Sequence, residues 1–282
     1  MPALTVAAFG EIMLRLSPPG RERLFQSPQL QASFGGGEAN VLVSLAAFGH
    51  KTRFLSLVPE NAVGNAAVAE LRRRGVGTDF ILRRGGRLGI YFAEPGSSQR
   101  PSRVIYDREH SSLAEARPGD IDWDRALSGI DWFHVTGITP ALGAAAAALT
   151  LEALRASRAA GIKVSLDLNH RSTLWRYGKS APEVMDGLAA LADVLMANEE
   201  DCQKSLGLSL GSVQTADGMD IPSAEKMTGL VMSRFPQLKA MTMTLRRSFS
   251  ADRNGWSAVL RTRDGFWTGS TYDISTVVDR IG

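Results

Sequence analysis

Four short stretches of the chain combine residue types that could bind an anion and act on it. Gly35-Gly36-Gly37-Glu38-Ala39-Asn40 precedes a helical pattern. Three glycines let the backbone come close to a ligand, and a helix N-terminus offers unpaired N–H groups and the positive end of its dipole to polar oxygens. A plain glycine-rich turn feeding a helix has the same appearance, and Asn40 stands where a dinucleotide fingerprint needs its third glycine. Asp167-Leu168-Asn169-His170-Arg171 closes an apolar run that reads as a buried strand. Ligands of open α/β sheets sit at the carboxyl ends of strands, so Asn169 and Arg171 point toward a site, unless Arg171 is an ordinary exposed loop residue. Tyr106-Asp107-Arg108 ends a β segment with an aromatic ring and a guanidinium, the group shaped to grip a carboxylate or phosphate bidentately. Asn198-Glu199-Glu200-Asp201 follows another strand, where acids could either complement a helix dipole or hold Mg²⁺ through water.

Other candidates carry less. Gly178-Lys179-Ser180 resembles the end of a phosphate loop, but Thr173 stands where that loop needs a glycine and no strand precedes it. His50, His110, His134 and His170 show no paired metal spacing, and the single cysteine, Cys202, has no disulfide partner. Residues 71–110 hold nine arginines against four acids, a local excess that favours an anionic partner. No nucleic-acid-binding motif accompanies it, so nucleic acid is not expected as that partner.

Positioning these stretches requires an alternating fold. Apolar runs at 4–9, 52–58, 132–135, 162–168, 193–197 and 240–245 read as strands, and helical spacing recurs at 38–48, 62–74, 182–192, 198–206 and 223–234. Thr139-Pro140 reads as the N-cap and first turn of an alanine-rich helix reaching Ala160. Strands return at 256–261, 266–268 and 272–278. Strands alternating with helices predict a parallel sheet covered on both faces. Two β-rich patches at 12–34 and 79–107 do not fit the alternation and are expected to form a small sheet over one edge. The core is then 1–11, 35–78 and 111–282, and the lid 12–34 and 79–110.

The composition suits such a fold: 282 residues, 44% hydrophobic, 22% charged and a net charge of +3. A disulfide scaffold is excluded by the single cysteine, and no apolar run is long enough to span a bilayer. The first twelve residues lack a basic leader and already carry Glu11, so they read as a strand, and the expectation is a cytoplasmic protein without membrane partners.

Taken in order, the segments resemble the ribokinase-type (PfkB) carbohydrate kinases. The likeness is carried by Gly35 to Asn40, Leu88-Gly89-Ile90-Tyr91, Tyr106-Asp107-Arg108, His134 to Pro140, Ser165 to Arg171, Thr173-Leu174-Trp175, Asn198 to Asp201 and Val278 to Gly282. Within that family it is similar to the branch acting on 2-keto-3-deoxy sugar acids.

The resemblance implies a Rossmann-like α/β core, with a parallel sheet and helices on both faces, plus a β lid. It implies in-line transfer of the ATP γ-phosphoryl group to a sugar hydroxyl with Mg²⁺. Gly36, Tyr91, Tyr106, Arg108 and Arg171 are expected to hold a sugar acid, the partner that two arginines in a closed site would select over a neutral sugar. Asn169 and Arg171 are expected at the transferred phosphate. Asn198, Thr244 and Arg246 are expected on the nucleotide side, and Asp201 at Mg²⁺ through water, in place of the usual Glu. A homodimer through the lid is also implied. The general base is expected beyond Gly282, in a Gly-x-Gly-Asp turn, so the chain reads as a truncated kinase with little or no turnover. A strand at 272–278 lacking a covering helix supports that expectation. The alternatives are a fructokinase or ribokinase, or a non-catalytic sugar-acid-binding protein.

Overall fold

The structure, a computed structural model, describes residues 2–211, 220–275 and 277. Its first strands are β1 (Thr5–Phe9), β2 (Met13–Ser17) and β3 (Gln31–Gly35), followed by helix α1 (Gly37–Ala47), β4 (Lys51–Val58) and α2 (Ala62–Arg73). Next come β5 (Ile81–Arg83), β6 (Ile90–Glu94), β7 (Arg103–Asp107), α3 (Trp123–Leu127), β8 (Trp132–Thr136), α4 (Ile138–Ala141) and α5 (Ala144–Ala159). The chain continues through β9 (Lys163–Asp167), α6 (Ala181–Ala189), β10 (Val194–Ala197), α7 (Glu199–Leu206) and α8 (Ile221–Arg234). Four further strands are β11 (Ala240–Ser248), β12 (Asn254–Thr262), β13 (Phe266–Thr268) and β14 (Tyr272–Ile274).

Ten strands form the main sheet in the order β13-β12-β11-β10-β9-β8-β1-β4-β5, with β14 also paired to β12. From β5 to β11 every neighbour is parallel. Side-chain alternation explains why these strands read as continuous apolar runs. Ala7 and Phe9 of β1 join Leu55 and Leu57 of β4 in the core on one face. Val6, Ala8, Phe54 and Val58 join the core on the other. Both faces of β1 are buried, so both of its parities are apolar from Val6 to Phe9. The lid is a second, four-stranded sheet in the order β3-β2-β6-β7. Met13, Tyr91, Ala93 and Val104 pack together on its inner face.

Three expectations need correction. Residues 81–83 belong to the main sheet, since β5 pairs in parallel with β4, so the second lid segment begins after β5. The alanine-rich helix starts at Ala144 rather than at Thr139-Pro140. Thr139 lies inside the short α4, and its hydroxyl donates to the buried Glu38 instead of capping a helix. Last, β12, β13 and β14 run antiparallel, so the want of a covering helix at 272–278 carries no argument about a parallel strand. Val278 to Gly282 lies outside the described residues.

Two loops confirm local reasoning. Ser180, last residue of the rejected phosphate-loop pattern, caps α6 in a reciprocal capping box with Glu183. Asn198 caps α7 in the same manner with Asp201. Among the described residues no helix is long and apolar enough to cross a membrane.

His134 of β8 is buried between sheet neighbours, with Nδ1 2.9 Å from the Ser165 hydroxyl. Burial lowers its pKa from the usual 6.5 to about 4. The folded form therefore refuses a proton that the unfolded chain accepts below pH 6.5, and its stabilising contribution is lost as pH falls from there toward 4. Asp167, raised by burial to about 7, has the opposite slope across the same window, so a variant is needed to isolate the histidine. Urea denaturation at pH 7 and 4.5 should show His134→Leu losing roughly 2–3 kcal/mol less than the wild-type chain over that interval. Parallel losses in the two proteins would refute the assignment.

Candidate active site

A cavity of about 420 Å³ opens between the carboxyl ends of β1, β8 and β9 and the inner face of the lid. Its wall begins at the glycine turn. The Gly36 carbonyl accepts from the Asn40 amide at 2.9 Å, starting α1. A Cβ on Gly36 would stand 1.9 Å from the Glu11 carbonyl oxygen, so the turn and the chain after β1 can pass only if this residue is glycine. Glu38, in the first turn of α1, is 1% exposed. Its Oε1 accepts from the Thr136 amide at 2.9 Å and from the Thr136 and Thr139 hydroxyls at 2.8 and 3.0 Å. Those bonds fasten the glycine turn to the end of β8, while burial raises the Glu38 pKa.

The lid supplies the opposite wall. Tyr91 of β6 and Tyr106 of β7 stand opposite each other with ring centroids 6.0 Å apart. Arg108 leaves β7 with its guanidinium 5.6 Å from the Tyr106 ring. This arginine is only 7% exposed, and it forms an ion pair with Glu11, itself 4% exposed. The Ser111 hydroxyl donates to the other Glu11 oxygen at 2.5 Å.

The loop after β9 completes the cavity. Asn169 sits at φ +35°, the left-handed region that Asn tolerates better than most residues, with its amide 3.1 Å from Asp167 Oδ1. Asp167 is raised to about 7, first by burial and then by the charge of Asp201. The His170 amide donates to Asp201 Oδ1 at 2.7 Å. Asp201 Oδ2 accepts from the Asn198 amide at 2.9 Å, and Asn198 Oδ1 accepts from the Asp201 amide at 2.8 Å. Burial raises the Asp201 pKa too. Arg171 is exposed toward the cavity, and its Nη1 donates to the His170 carbonyl at 2.8 Å. On the far side, Arg246 of β11 donates through Nε and Nη2 to Asn254 Oδ1 at 3.1 and 2.9 Å.

Gly36, Tyr91, Tyr106, Arg108, Asn169, Arg171 and Arg246 therefore line one cavity, although they come from five separate stretches of the chain. Asn198, Asp201 and Thr244 are not in its wall. The first two form the helix cap described above, and Thr244 is exposed on β11. Among the described residues no group of three or more His, Cys, Asp or Glu side chains is arranged to hold a metal ion. Sequence reasoning missed Glu11 and Glu38. The only local signal for Glu11 was an acid placed directly after a buried strand, and Glu38 reads as an ordinary first-turn acid. The arginines of 71–110 are neutralised piecewise: Arg73 and Arg74 on Glu70, Arg84 on Asp120, Arg87 on Asp107 and Arg108 on Glu11.

Residues 3–227 match the family model described as pfkB family carbohydrate kinase. The chain belongs to the PfkB family of carbohydrate kinases. It is 36% identical to the 2-dehydro-3-deoxygalactonokinase of Haloferax volcanii over 203 residues, which are 72% of this chain and 63% of that protein. It is 27% identical to the 2-dehydro-3-deoxygluconokinase of Bacillus subtilis over 192 residues, 67% of this chain and 59% of that one. The matched region thus spans about three fifths of those relatives' own length. Among solved structures, the 2-dehydro-3-deoxygluconokinase of Thermotoga maritima superposes with a TM-score of 0.91 at 42% identity, covering 98% of this chain and 82% of that one. The PfkB fold accounts for the α/β sheet with helices on both faces expected from the sequence.

In this PfkB chain the Asp201 carboxylate anchors the cavity-lining loop 169–171 to the cap of α7. Asp201→Ala removes a capping partner and leaves the His170 amide without its acceptor, so stability should fall by about 2 kcal/mol. Denaturant titration measures the loss, and hydrogen exchange at the His170 amide should quicken at the same time. An unchanged His170 exchange rate would show that the loop is held by other contacts.

Proposed function

We propose that this protein phosphorylates a 2-keto-3-deoxy sugar acid, 2-keto-3-deoxygluconate or its galacto epimer, at the terminal hydroxyl, with ATP as phosphoryl donor. The observation that carries the proposal is the meeting of Arg108 from the lid and Arg171 from the core on one cavity beside Tyr91 and Tyr106. Two guanidinium groups on a partly enclosed cavity favour an anionic ligand, because a carboxylate taken from water needs charge-assisted partners. The two tyrosines add ring faces and hydroxyls suited to a polyhydroxylated chain, and a cavity of about 420 Å³ accommodates a six-carbon acid. The relatives named for 2-dehydro-3-deoxy sugar acids support the same substrate class.

In the proposed reaction the terminal hydroxyl oxygen bonds to the γ-phosphorus as the bond to the β-phosphate oxygen breaks, releasing ADP, and the hydroxyl proton passes to a base. Asn169 and Arg171, both in the cavity wall, are assigned to the transferred group, whose charge they would stabilise. Glu11 and Glu38 both line the cavity, but one is paired with Arg108 and the other holds Thr136 and Thr139, so neither is assigned as the base. Arg246, with Thr244 two residues earlier on the same strand, is assigned to the nucleotide side. Mg²⁺ bound to nucleotide phosphates would meet the protein through water, as this strongly hydrated ion commonly does. Each oxygen of Asp201 already accepts a backbone N–H, which suits contact through a hydration shell rather than direct ligation, with Asn198 beside it. A homodimer through the lid is supported by the exposed Phe25 and Ile105, which lie on the lid away from its inner cluster.

Calorimetric titration tests the substrate class directly. The wild-type chain should bind 2-keto-3-deoxygluconate at least tenfold more tightly than fructose or ribose. Arg171→Ala should weaken binding of the acid by about 10- to 100-fold, in line with loss of one charge-assisted contact, and leave neutral sugars nearly unaffected. Preference for a neutral sugar, or indifference of the acid to Arg171, would overturn the proposal.

A further inference from the structure

The Arg108 guanidinium does not enter the cavity as an unopposed positive charge. Nη2 is bonded to Glu11 Oε2, both residues are more than nine-tenths buried, and Glu11 itself lines the cavity. The pairing is built by the fold. Glu11 follows β1 in the core and Arg108 follows β7 in the lid, 97 residues away. Ser111 fixes the second Glu11 oxygen, and Gly89 leaves the space, since a Cβ there would stand 2.8 Å from Glu11 Oε1 and 3.3 Å from Arg108 Cβ. One guanidinium nitrogen, Nε, is buried and has no partner, so the protein leaves part of the donor capacity of Arg108 unmet.

We propose that Glu11 is a specificity-determining residue: its carboxylate offsets Arg108 and sets the charge that a bound anion meets at the lid end of the cavity. The inference rests on the proposed anionic substrate, but concerns a residue for which that reading has no use. An anion entering the site is attracted by Arg108 and Arg171 and repelled by Glu11. At a few ångströms in a partly desolvated cavity that repulsion amounts to a several-fold loss of affinity. The offset limits nonselective capture of small inorganic anions, and leaves recognition to hydrogen bonds that a shaped organic acid can satisfy. Glu11→Gln keeps the shape and an acceptor oxygen for Arg108, while Ser111 can accept from the new amide.

The test is calorimetry on the full chain with inorganic phosphate, 2-keto-3-deoxygluconate and fructose, comparing wild type with Glu11→Gln. The variant should bind both anions about three- to tenfold more tightly, with fructose changed less than twofold. Unchanged or weaker anion binding by a folded variant overturns the proposal, as does absence of phosphate binding by both proteins. If Glu11→Gln does not fold, the neutral double variant E11Q/R108Q replaces it and is compared with R108Q, in which Glu11 stands alone. The double variant should then bind phosphate several-fold more tightly, and equal affinities overturn the proposal. A phosphate response to Glu11→Gln in a protein that ignores the sugar acid upholds the role of Glu11 and removes the sugar-acid reading. Sugar-acid binding without any response to Glu11→Gln removes the role of Glu11 alone.

Discussion

A guanidinium buried as deeply as Arg108 requires a counter-charge, and meeting that requirement joins the two parts of this molecule. Arg108 follows a lid strand and Glu11 follows a core strand, so their ion pair links the two sheets. Removing one partner of such a pair typically costs 3–5 kcal/mol, because the other is left as an uncompensated buried charge. The pair therefore restricts where the lid can sit relative to β1. The same placement brings Tyr91 and Tyr106 over the glycine turn, whose close approach to the Glu11 carbonyl depends on Gly36. Packing, charge balance and the cavity wall converge on residues 11, 36 and 108.

The core side of the cavity is held by a different device. Asn169 adopts a left-handed conformation and Arg171 extends from the same loop, so the loop needs fixed anchors. Asp167 supplies one from inside and Asp201 another from the neighbouring helix cap. Both acids have raised pKa values through burial, as has Glu38. Burial raises all three carboxyls, so the acids beneath the cavity hold their protons more readily than free carboxyls would. At the lid end of the cavity the acid that faces the arginines is Glu11, paired with Arg108.

Much of this was legible in the sequence for a physical reason. A parallel strand buried on both faces is apolar at both parities, as the run 4–9 is, whereas 162–168 alternates apolar Ile162, Val164, Leu166 and Leu168 with Lys163, Ser165 and Asp167. Arg108 and Arg171 were visible as charged residues at the ends of such segments, and Tyr91 and Gly36 became visible through family resemblance. Strand direction has no local signature, so the antiparallel turn of the sheet at β12 to β14 was not foreseen. The three-residue β5, flanked by arginines and Gly85-Gly86, looked like lid until its pairing with β4 placed it in the core. Glu11 and Glu38 escaped notice because their importance comes from partners about a hundred residues away. Thr139 was misread for the related reason that its hydroxyl is engaged by Glu38, a distant acid, and not by the helix that follows.

Whether lid and core arginines grip one organic anion is decided by a crystal structure of the chain with 2-keto-3-deoxygluconate. The ligand carboxylate is expected within about 3 Å of donors from both Arg108 and Arg171, with the Glu11 side chain still on Arg108. A carboxylate bound by only one of the two, or directed to solvent while sugar hydroxyls occupy the arginines, would contradict it.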